Sequence, residues 1–396
     1  MIIHVEAADE LIKNTAQILH FPTQNIPVFD AVGCRIAENI YADRDYPPFA
    51  RVMMDGVAMG EEDFLLGKLK IIGQQFAGEK PLILTQKGTC VKIATGAVLP
   101  IGADFILPKE RYRIEYEGNE KFILYAIDFS TGNKSIHEKG RDAKAGDLLI
   151  EKNTSLTPAH IGILASVGKA QIDVYTMPKI HILGTGDELV EVNETPENHQ
   201  IRHSNSYAIA AAIQSKMSKI PISISKSIDN EEILTQKILS LAQHEVIISS
   251  GAVSVGDMDL VPKVLEKLGY EIIFHTVSQR PGKPFLFARK ENQVYFGLPG
   301  NPLSALIGTY RYIIPFLEEI CGLKRPVFDV SLAHEVTFLP NLTYFLPVKI
   351  NHGQAEAIFS NNSGDMLSVA RADGFVELKR EFTLFEAGTK VRFFSF

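Results

Sequence analysis

Apolar residues recur over the first twenty positions as Val5, Leu11, Ile12, Ala16, Ile18 and Leu19. That spacing gathers them on one side of a helix and predicts an amphipathic α-helix. The stretch FPTQNIP breaks it. From Asp45 to about Ile150 the texture becomes short apolar pieces, LKIIG, CVKIA, DFILP and KFILYAI, separated by Gly-rich turn signals, the spacing of a small β-rich domain. SLTPAHIGILASVGK, residues 155–169, places Pro near the start and Gly near the end of a helical run and leads into the strand-like AQIDVY. The pattern then alternates. IHILG, PISISKS, VIISS, EIIFHTV and VYFGLPG read as strands; SYAIAAAIQSKM, EEILTQKILSLAQ, DLVPKVLEKLG and PLSALIGTYRYIIPFLEEICG read as the helices between and after them. Such a series predicts a mostly parallel, doubly wound sheet with helices on both faces. Past Lys324 alternating strands return, VFDVSLAHEVTF, YFLPVKI, AEAIF, GFVELK and KVRFFSF, with no helical segment. The fold class is therefore multidomain α/β plus β. N-terminal helical and linking parts occupy 1–44 and 146–178, a β-rich inserted domain 45–145, a central doubly wound α/β domain 179–324 and a C-terminal β-domain 325–396.

Composition narrows the partners more than the fold. With 396 residues, 45% of them hydrophobic and 22% charged, the chain can bury more than one core. The N-terminus MIIHVEAADELIKN meets acids early and lacks the apolar core of a secretory signal. No later run approaches the roughly 20 apolar residues that span a bilayer. The expectation is a cytoplasmic protein without a membrane partner. Cys34, Cys90 and Cys321 are odd in number and far apart, so neither a disulfide framework nor a CxxC zinc site is signalled. A net charge of -7 without a Lys/Arg block opposes a nucleic-acid partner. A local site for a small anion stays open.

Open α/β sheets bind ligands beyond the carboxyl ends of their strands, and four such ends break the apolar texture. Gly184-Thr185-Gly186-Asp187-Glu188 follows IHIL. Ser249, Ser250 and Gly251, then Ser254, Gly256, Asp257 and Asp259, follow VII. Arg280-Pro281-Gly282-Lys283-Pro284 follows EIIFHTV, and Pro299-Gly300-Asn301-Pro302 follows VYFGL. In SSGAVSVGDMD the glycines allow close backbone approach and successive N–H groups can form an anion nest beside a helix start. Read alone, it is equally a tight loop whose Ser and Asp cap the next helix. Arg280 and Lys283 flank a rigid Pro-Gly turn suited to holding an oxyanion, or are solvated turn cations. Asn301 is either a helix cap or an anion contact. In the β-rich part Asp55, Thr95 and Asp142 stand on Gly-flanked loops, and Arg141–Asp142 reads by itself as a surface ion pair. Asp55, Asp142, Glu188, Asp229, Asp257 and Asp259 are all oxygen donors without a His or Cys pair, which suits Mg²⁺ held with a substrate phosphate rather than zinc or iron. No GxSxG elbow occurs, so Ser-His-Asp chemistry is not indicated.

Taken in order, PPFARVMMDGVAM, KIATGAVLPIGADFILPKE, HEKGRDAKAGDLL, ILGTGDEL, IRHSNSYAIAAAI, ISSGAVSVGDMDLVPKVLEKLG, QRPGKPFLF and FGLPGNPLSALI resemble the successive motifs of molybdopterin molybdenumtransferases, the MoeA type shared with the E-domain of gephyrin. The resemblance implies an elongated homodimer whose central α/β domain binds molybdopterin. It implies an enzyme that converts adenylylated molybdopterin and molybdate, with Mg²⁺, into molybdenum cofactor and AMP. An upstream adenylyltransferase and recipient molybdoenzymes would be its neighbours. By the same resemblance Asp55, Asp142, Glu188, Asp259 and Lys283 are catalytic, and Glu188, Asp229 and Asp259 bind the metal. Thr95, Gly184, Thr185, Gly186, Ser250, Gly251, Ser254, Arg280, Pro299, Asn301 and Pro302 hold the pterin phosphate and molybdate. A non-catalytic molybdopterin binder or scaffold is the alternative. The chain departs from the commonest family pattern with Ala50, Arg51 and Val52 for Asp-Asn-Ser, Ala252 for Gly, Arg280 for Lys and Asn230 for a second acid.

Overall fold

In the strands Ile180–Thr185 and Val246–Ser250 every residue is buried, so the sheet they belong to is covered on both faces. The computed structural model describes residues 2–127, 135–253, 260–323, 326–359 and 364–396. The chain divides into two compact units, one of Met1–Ala37, Asn153–Pro158 and Gln171–Phe396, the other of Glu38–Lys152 and Ala159–Ala170.

The first unit is built on a seven-stranded sheet. Its strands are β1 (Ile2–Ile3), β2 (Ile180–Thr185), β3 (Ile222–Ser227), β4 (Val246–Ser250), β5 (Glu271–Val277), β6 (Pro284–Lys290) and β7 (Gln293–Leu298), in the order β1-β5-β6-β7-β4-β2-β3. β7, β4, β2 and β3 run parallel, as does the β1–β5 pair. β6 is antiparallel to both its neighbours, so the sheet is mostly parallel, as the alternating pattern predicts, with one antiparallel strand inside it. Side-chain alternation sorts the two faces. Ile180, Ile182, Val246, Ile248, Phe285, Phe287, Val294 and Phe296 share a core with Val5, Ala8 and Ile12 of helix α1 (Val5–Ile18), Ile209 and Ile213 of α2 (Asn205–Lys216), and Leu303 of α5 (Pro302–Gly308). Leu183, Ile247, Leu286 and Tyr295 point the other way, onto Leu234 and Ile238 of α3 (Glu231–Leu239) and Val261, Val264 and Leu265 of α4 (Leu260–Lys267). α5 continues through a π-helical segment, Thr309–Ile313, into Ile314–Cys321. Register brings Gly184 opposite Ser250, and Ser250 opposite Leu298, so three of the four conspicuous strand ends finish level.

The C-terminal part carries a six-stranded sheet that includes Phe328–Leu332, Thr343–Asn351, Gln354–Ala357, Gly374–Leu378 and Lys390–Ser395. Its edge strand is Gln279–Arg280, paired in parallel with Thr343–Tyr344. One helix, Met366–Arg371, corrects the helix-free reading of this region; six residues are too few to display a period. The second unit holds a six-stranded sheet of Gly56–Met59, Lys68–Gln75, Thr89–Ile93, Phe105–Pro108, Tyr112–Glu117 and Glu120–Tyr125. All three cysteines are free and buried, and burial pushes the Cys90 and Cys321 thiols up to about 12. No helix among the described residues is long and apolar enough to cross a membrane.

Candidate active site

A cavity of about 1000 Å³ lies over the level strand ends of the first unit. Two of its glycines are there because nothing larger fits. A Cβ on Gly184 would stand 2.1 Å from the His203 ring nitrogen, and one on Gly251, at φ +108, would stand 2.2 Å from the Thr185 carbonyl oxygen. The loops are then stitched together. Gly251 N–H donates to the Leu298 carbonyl at 3.0 Å, and the Thr185 hydroxyl to the Ser250 carbonyl at 3.4 Å. The Asn205 amide donates to Ser250 Oγ at 2.9 Å and to the Gly300 carbonyl at 2.8 Å. Ser250 Oγ faces the Pro299 carbonyl at 3.2 Å. Asn301 occupies the N-cap of α5 without making a side-chain cap bond. It therefore lines the cavity with its amide uncommitted to the helix, and Pro299 and Pro302 flank it there.

The Arg280–Pro284 turn is held from beneath. Gln279, 2% exposed, donates through Nε2 to the Gly282 carbonyl at 3.0 Å and accepts from the Tyr312 hydroxyl. Arg280 and Lys283 line the cavity beside Arg202. Glu188 and Asp229 line it as well, and the backbone N–H of Asp229 donates to the Asp187 carboxylate at 3.0 Å, which ties two acid-bearing loops together. Three cations and two carboxylates line the cavity, a locally positive balance in a chain of net charge -7. Asn230, which stands where the family often has an acid, caps α3 by accepting from Glu232 and Ile233 N–H at 3.0 and 3.1 Å. Ser254, Asp257 and Asp259 lie outside the described residues. Among the described residues no three His, Cys, Asp or Glu side chains converge on one point. Of the candidate metal set, Glu188 and Asp229 share the cavity wall.

Asp55, Thr95 and Asp142 belong to the second unit. Asp55 accepts from Thr95 N–H and from the Thr95 hydroxyl, both at 2.9 Å, and lies 3.5 Å from Lys109 Nζ. The Thr95 N–H above all, then its hydroxyl, holds the Asp55 carboxyl below the usual carboxylate range. Asp142 pairs with His137 Nε2 at 2.8 Å, rather than with Arg141 as its loop position suggests. His137 Nδ1 faces the Arg51 guanidinium at 3.4 Å. A guanidinium can only donate, so Nδ1 is the acceptor and the Nε2–H of His137 is the donor to Asp142. Arg51 thus has a local task at a position where the chain departs from the family pattern.

Sequence reasoning passed over Asn205, Gln279, His203 and His137 as site-building residues. IRHSNSYAIAAAI carries two of them, just ahead of the run SYAIAAAIQSKM that reads as a helix. Their partners stand 45 and 95 residues away in the case of Asn205, and no local pattern encodes that.

Fold and site together define a multidomain α/β protein whose polar cavity, over the parallel strand ends, suits a charged small molecule. Family models match the chain in sequence: the MoeA N-terminal region (domain I and II) over residues 3–168, a probable molybdopterin binding domain over 181–319, and the MoeA C-terminal region (domain IV) over 329–396. A molybdopterin molybdenumtransferase of Synechocystis sp. is 35% identical over 100% of both chains. One from Haemophilus influenzae is 33% identical over 80% of this chain and 78% of its own. The crystal structure of the molybdopterin biosynthesis MoeA protein from Pyrococcus horikosii superposes with a TM-score of 0.80 at 28% identity, covering 100% of this chain and 99% of that one. The chain belongs to the MoeA family of molybdopterin molybdenumtransferases and is an enzyme of the transferase class.

Proposed function

We propose that the chain transfers molybdenum from molybdate to molybdopterin, taking the pterin as its adenylylated form and releasing AMP, in the cytoplasm and as a homodimer. The single observation that carries this reading is the cavity in which Arg280 and Lys283 stand with Glu188 and Asp229 over the strand-end loops. Two mutually repelling anions need cations and N–H dipoles fixed in advance. Lys283 and Arg280 supply the charges. Asn301 and the glycine loops supply the polar lining, and the Pro-Gly turn resting on Gln279 fixes the backbone from which the two exposed cations project. Relatives named molybdopterin molybdenumtransferase, matched over 100% and 80% of this chain, support molybdopterin and molybdenum as the substrate chemistry.

Mg²⁺ is proposed to bind through carboxylates that line this cavity. It keeps several waters and binds through one or two carboxylates plus substrate phosphates rather than a closed protein cage, and Glu188 and Asp229 offer that pair. Asp259 belongs to the same proposed set. Bound there, the ion would neutralise pyrophosphate charge as the phosphoanhydride breaks. Asp55 and Asp142 are proposed to act in the reaction from the second unit, Asp55 ionised by Thr95 and Asp142 oriented by His137. The four-part domain division at residues 44, 145, 178 and 324 is kept as part of this proposal. The test is AMP release from adenylylated molybdopterin with molybdate, with and without Mg²⁺. Release that needs both additions supports the reading; a folded protein that binds the pterin and never releases AMP refutes it. Light scattering of the purified chain at twice the monomer mass checks the dimer.

A further inference from the structure

We infer that Asn205 is a positioning residue, which with Ser250 forms a clamp that fixes the strand-end loops of the cavity without touching the bound anion. The inference rests on the reading of that cavity as the substrate site. A side-chain amide has two N–H donors. In Asn205 one goes to Ser250 Oγ at 2.9 Å and the other to the Gly300 carbonyl at 2.8 Å. A carbonyl only accepts, so the atom facing Gly300 must be the nitrogen, and the orientation of the amide is set by chemistry. Both donors are then spent. The remaining polar atom, Oδ1, is an acceptor and has the wrong polarity for a phosphate or molybdate oxygen.

Ser250 is committed in the same way. Its hydroxyl has one proton, and the Pro299 carbonyl lies in front of it at 3.2 Å while Asn205 donates to its oxygen. Donating to an anion would mean giving up the Pro299 bond, and the side chain is 4% exposed. Ser250 therefore belongs to the framework of the cavity rather than to its contact surface. Three segments meet on this pair: the end of β4, the Pro299–Gly300 turn after β7 and the first residue of α2. The β4–β7 register runs to Ser250 opposite Leu298, and the clamp extends that registration by two residues, to Gly300. Release of the loops that the clamp positions is expected to weaken ligand affinity about tenfold, equivalent to about 1.4 kcal/mol.

The test uses the full chain as wild type, Asn205→Leu, Ser250→Ala and the double variant, with AMP as the probe. Amide hydrogen exchange over residues 246–253 and 296–301 should speed up about tenfold in each single variant and stay unchanged over 284–290. AMP should bind about tenfold more weakly to each single variant, and the double variant should lose no more than about a further twofold, because both substitutions open one clamp. In the turnover assay KM should rise while kcat stays within about threefold. Unchanged exchange in both loops overturns the clamp. So do additive losses of affinity, the mark of two independent ligand contacts, or a fall in kcat at constant KM. Should Asn205→Leu fail to fold, Ser250→Ala opens the same clamp from its other side. If the wild type itself binds no AMP, the substrate reading of the cavity fails, while the exchange comparison still decides the clamp.

Discussion

Ala252 sits at φ +50, in the left-handed region, where the family commonly has Gly. A Cβ there costs about 1 kcal/mol, so Ala252→Gly should stabilise the chain by up to about that amount, read as a higher urea midpoint. A lower midpoint would mean that the Cβ contact to the α4 side of the core outweighs the backbone strain. Gly184 makes the opposite case. Gly184→Ala brings a Cβ against the His203 ring, so a loss of about 1–3 kcal/mol is expected in the same assay. Lys283 is argued from charge rather than space. Lys283→Gln keeps a polar side chain one atom shorter and removes the cation, and should lower kcat/KM for AMP release about 10²-fold with an unchanged urea midpoint. Arg280 and Lys283 are visible in the sequence because a Pro-Gly turn between two cations after a strand is unusual. Gln279 beneath them is invisible, because an amide whose partners are backbone carbonyls and a tyrosine thirty-three positions on leaves no pattern.

At the scale of elements the helices and most strands of the first unit were legible, because burial on two faces writes long apolar runs and amphipathic helices side by side. β6 was not. PFLFARK follows directly on the Arg280–Pro284 turn, and the hairpin to β7 closes on Glu291-Asn292, with Glu291 at φ +52, a pair without the Asn-Gly signature of such turns. The N-terminal helix was legible, but not its place: β1 pairs with β5 across 274 residues of sequence, Ile2 opposite Thr276. Asn230 shows how a departure from a family pattern can still be satisfied locally. Asn230→Ala should cost about 1 kcal/mol through the α3 cap while Asn230→Asp should cost almost nothing, measured by urea unfolding. His181, on β2, gives the sheet a pH dependence. Its ring nitrogens meet Ser223 Oγ at 2.7 Å and Ser225 Oγ at 2.8 Å. Burial first, then His244 and Lys237, pushes its pKa down to about 4. The folded pKa lies below the unfolded value of about 6.5, so this contribution is complete above pH 6.5 and is lost as pH falls toward 4. His181→Gln should flatten that limb: the difference in urea midpoint between pH 7 and pH 4.5 shrinks relative to wild type. An equal difference in both proteins would assign the acid sensitivity to carboxylates instead.

At the scale of the whole molecule, a buried cation ties distant segments of the first unit together. Arg311, 3% exposed, lies on the π-helical segment. It donates to both oxygens of Asp9 on α1, at 2.6 and 2.7 Å, and through Nε to Glu377 on the strand Gly374–Leu378, at 3.1 Å. Tyr312, Phe394 and Phe345 rings lie 5.0, 5.2 and 5.7 Å from its guanidinium carbon. One residue therefore joins the N-terminal helix, the helix that follows β7 and the C-terminal sheet, three segments that length and pattern place in different domains. Desolvating a guanidinium is costly, and the pair of carboxylates offsets that cost only while the geometry holds. Removing the cation alone should be worse than removing the triad, since Arg311→Met strands Glu377, 9% exposed, without its partner. The single variant should lose about 3–5 kcal/mol, and adding Glu377→Gln should restore part of it. Limited proteolysis locates the effect: if the tie carries α1, cleavage at Lys13 should accelerate in Arg311→Met and slow again in the double variant. Equal losses in single and double variants, with no new cleavage at Lys13, would reduce the triad to a packing contact and leave the N-terminus held by β1, the apolar face of α1 and the polar contacts of Gln17 and His20.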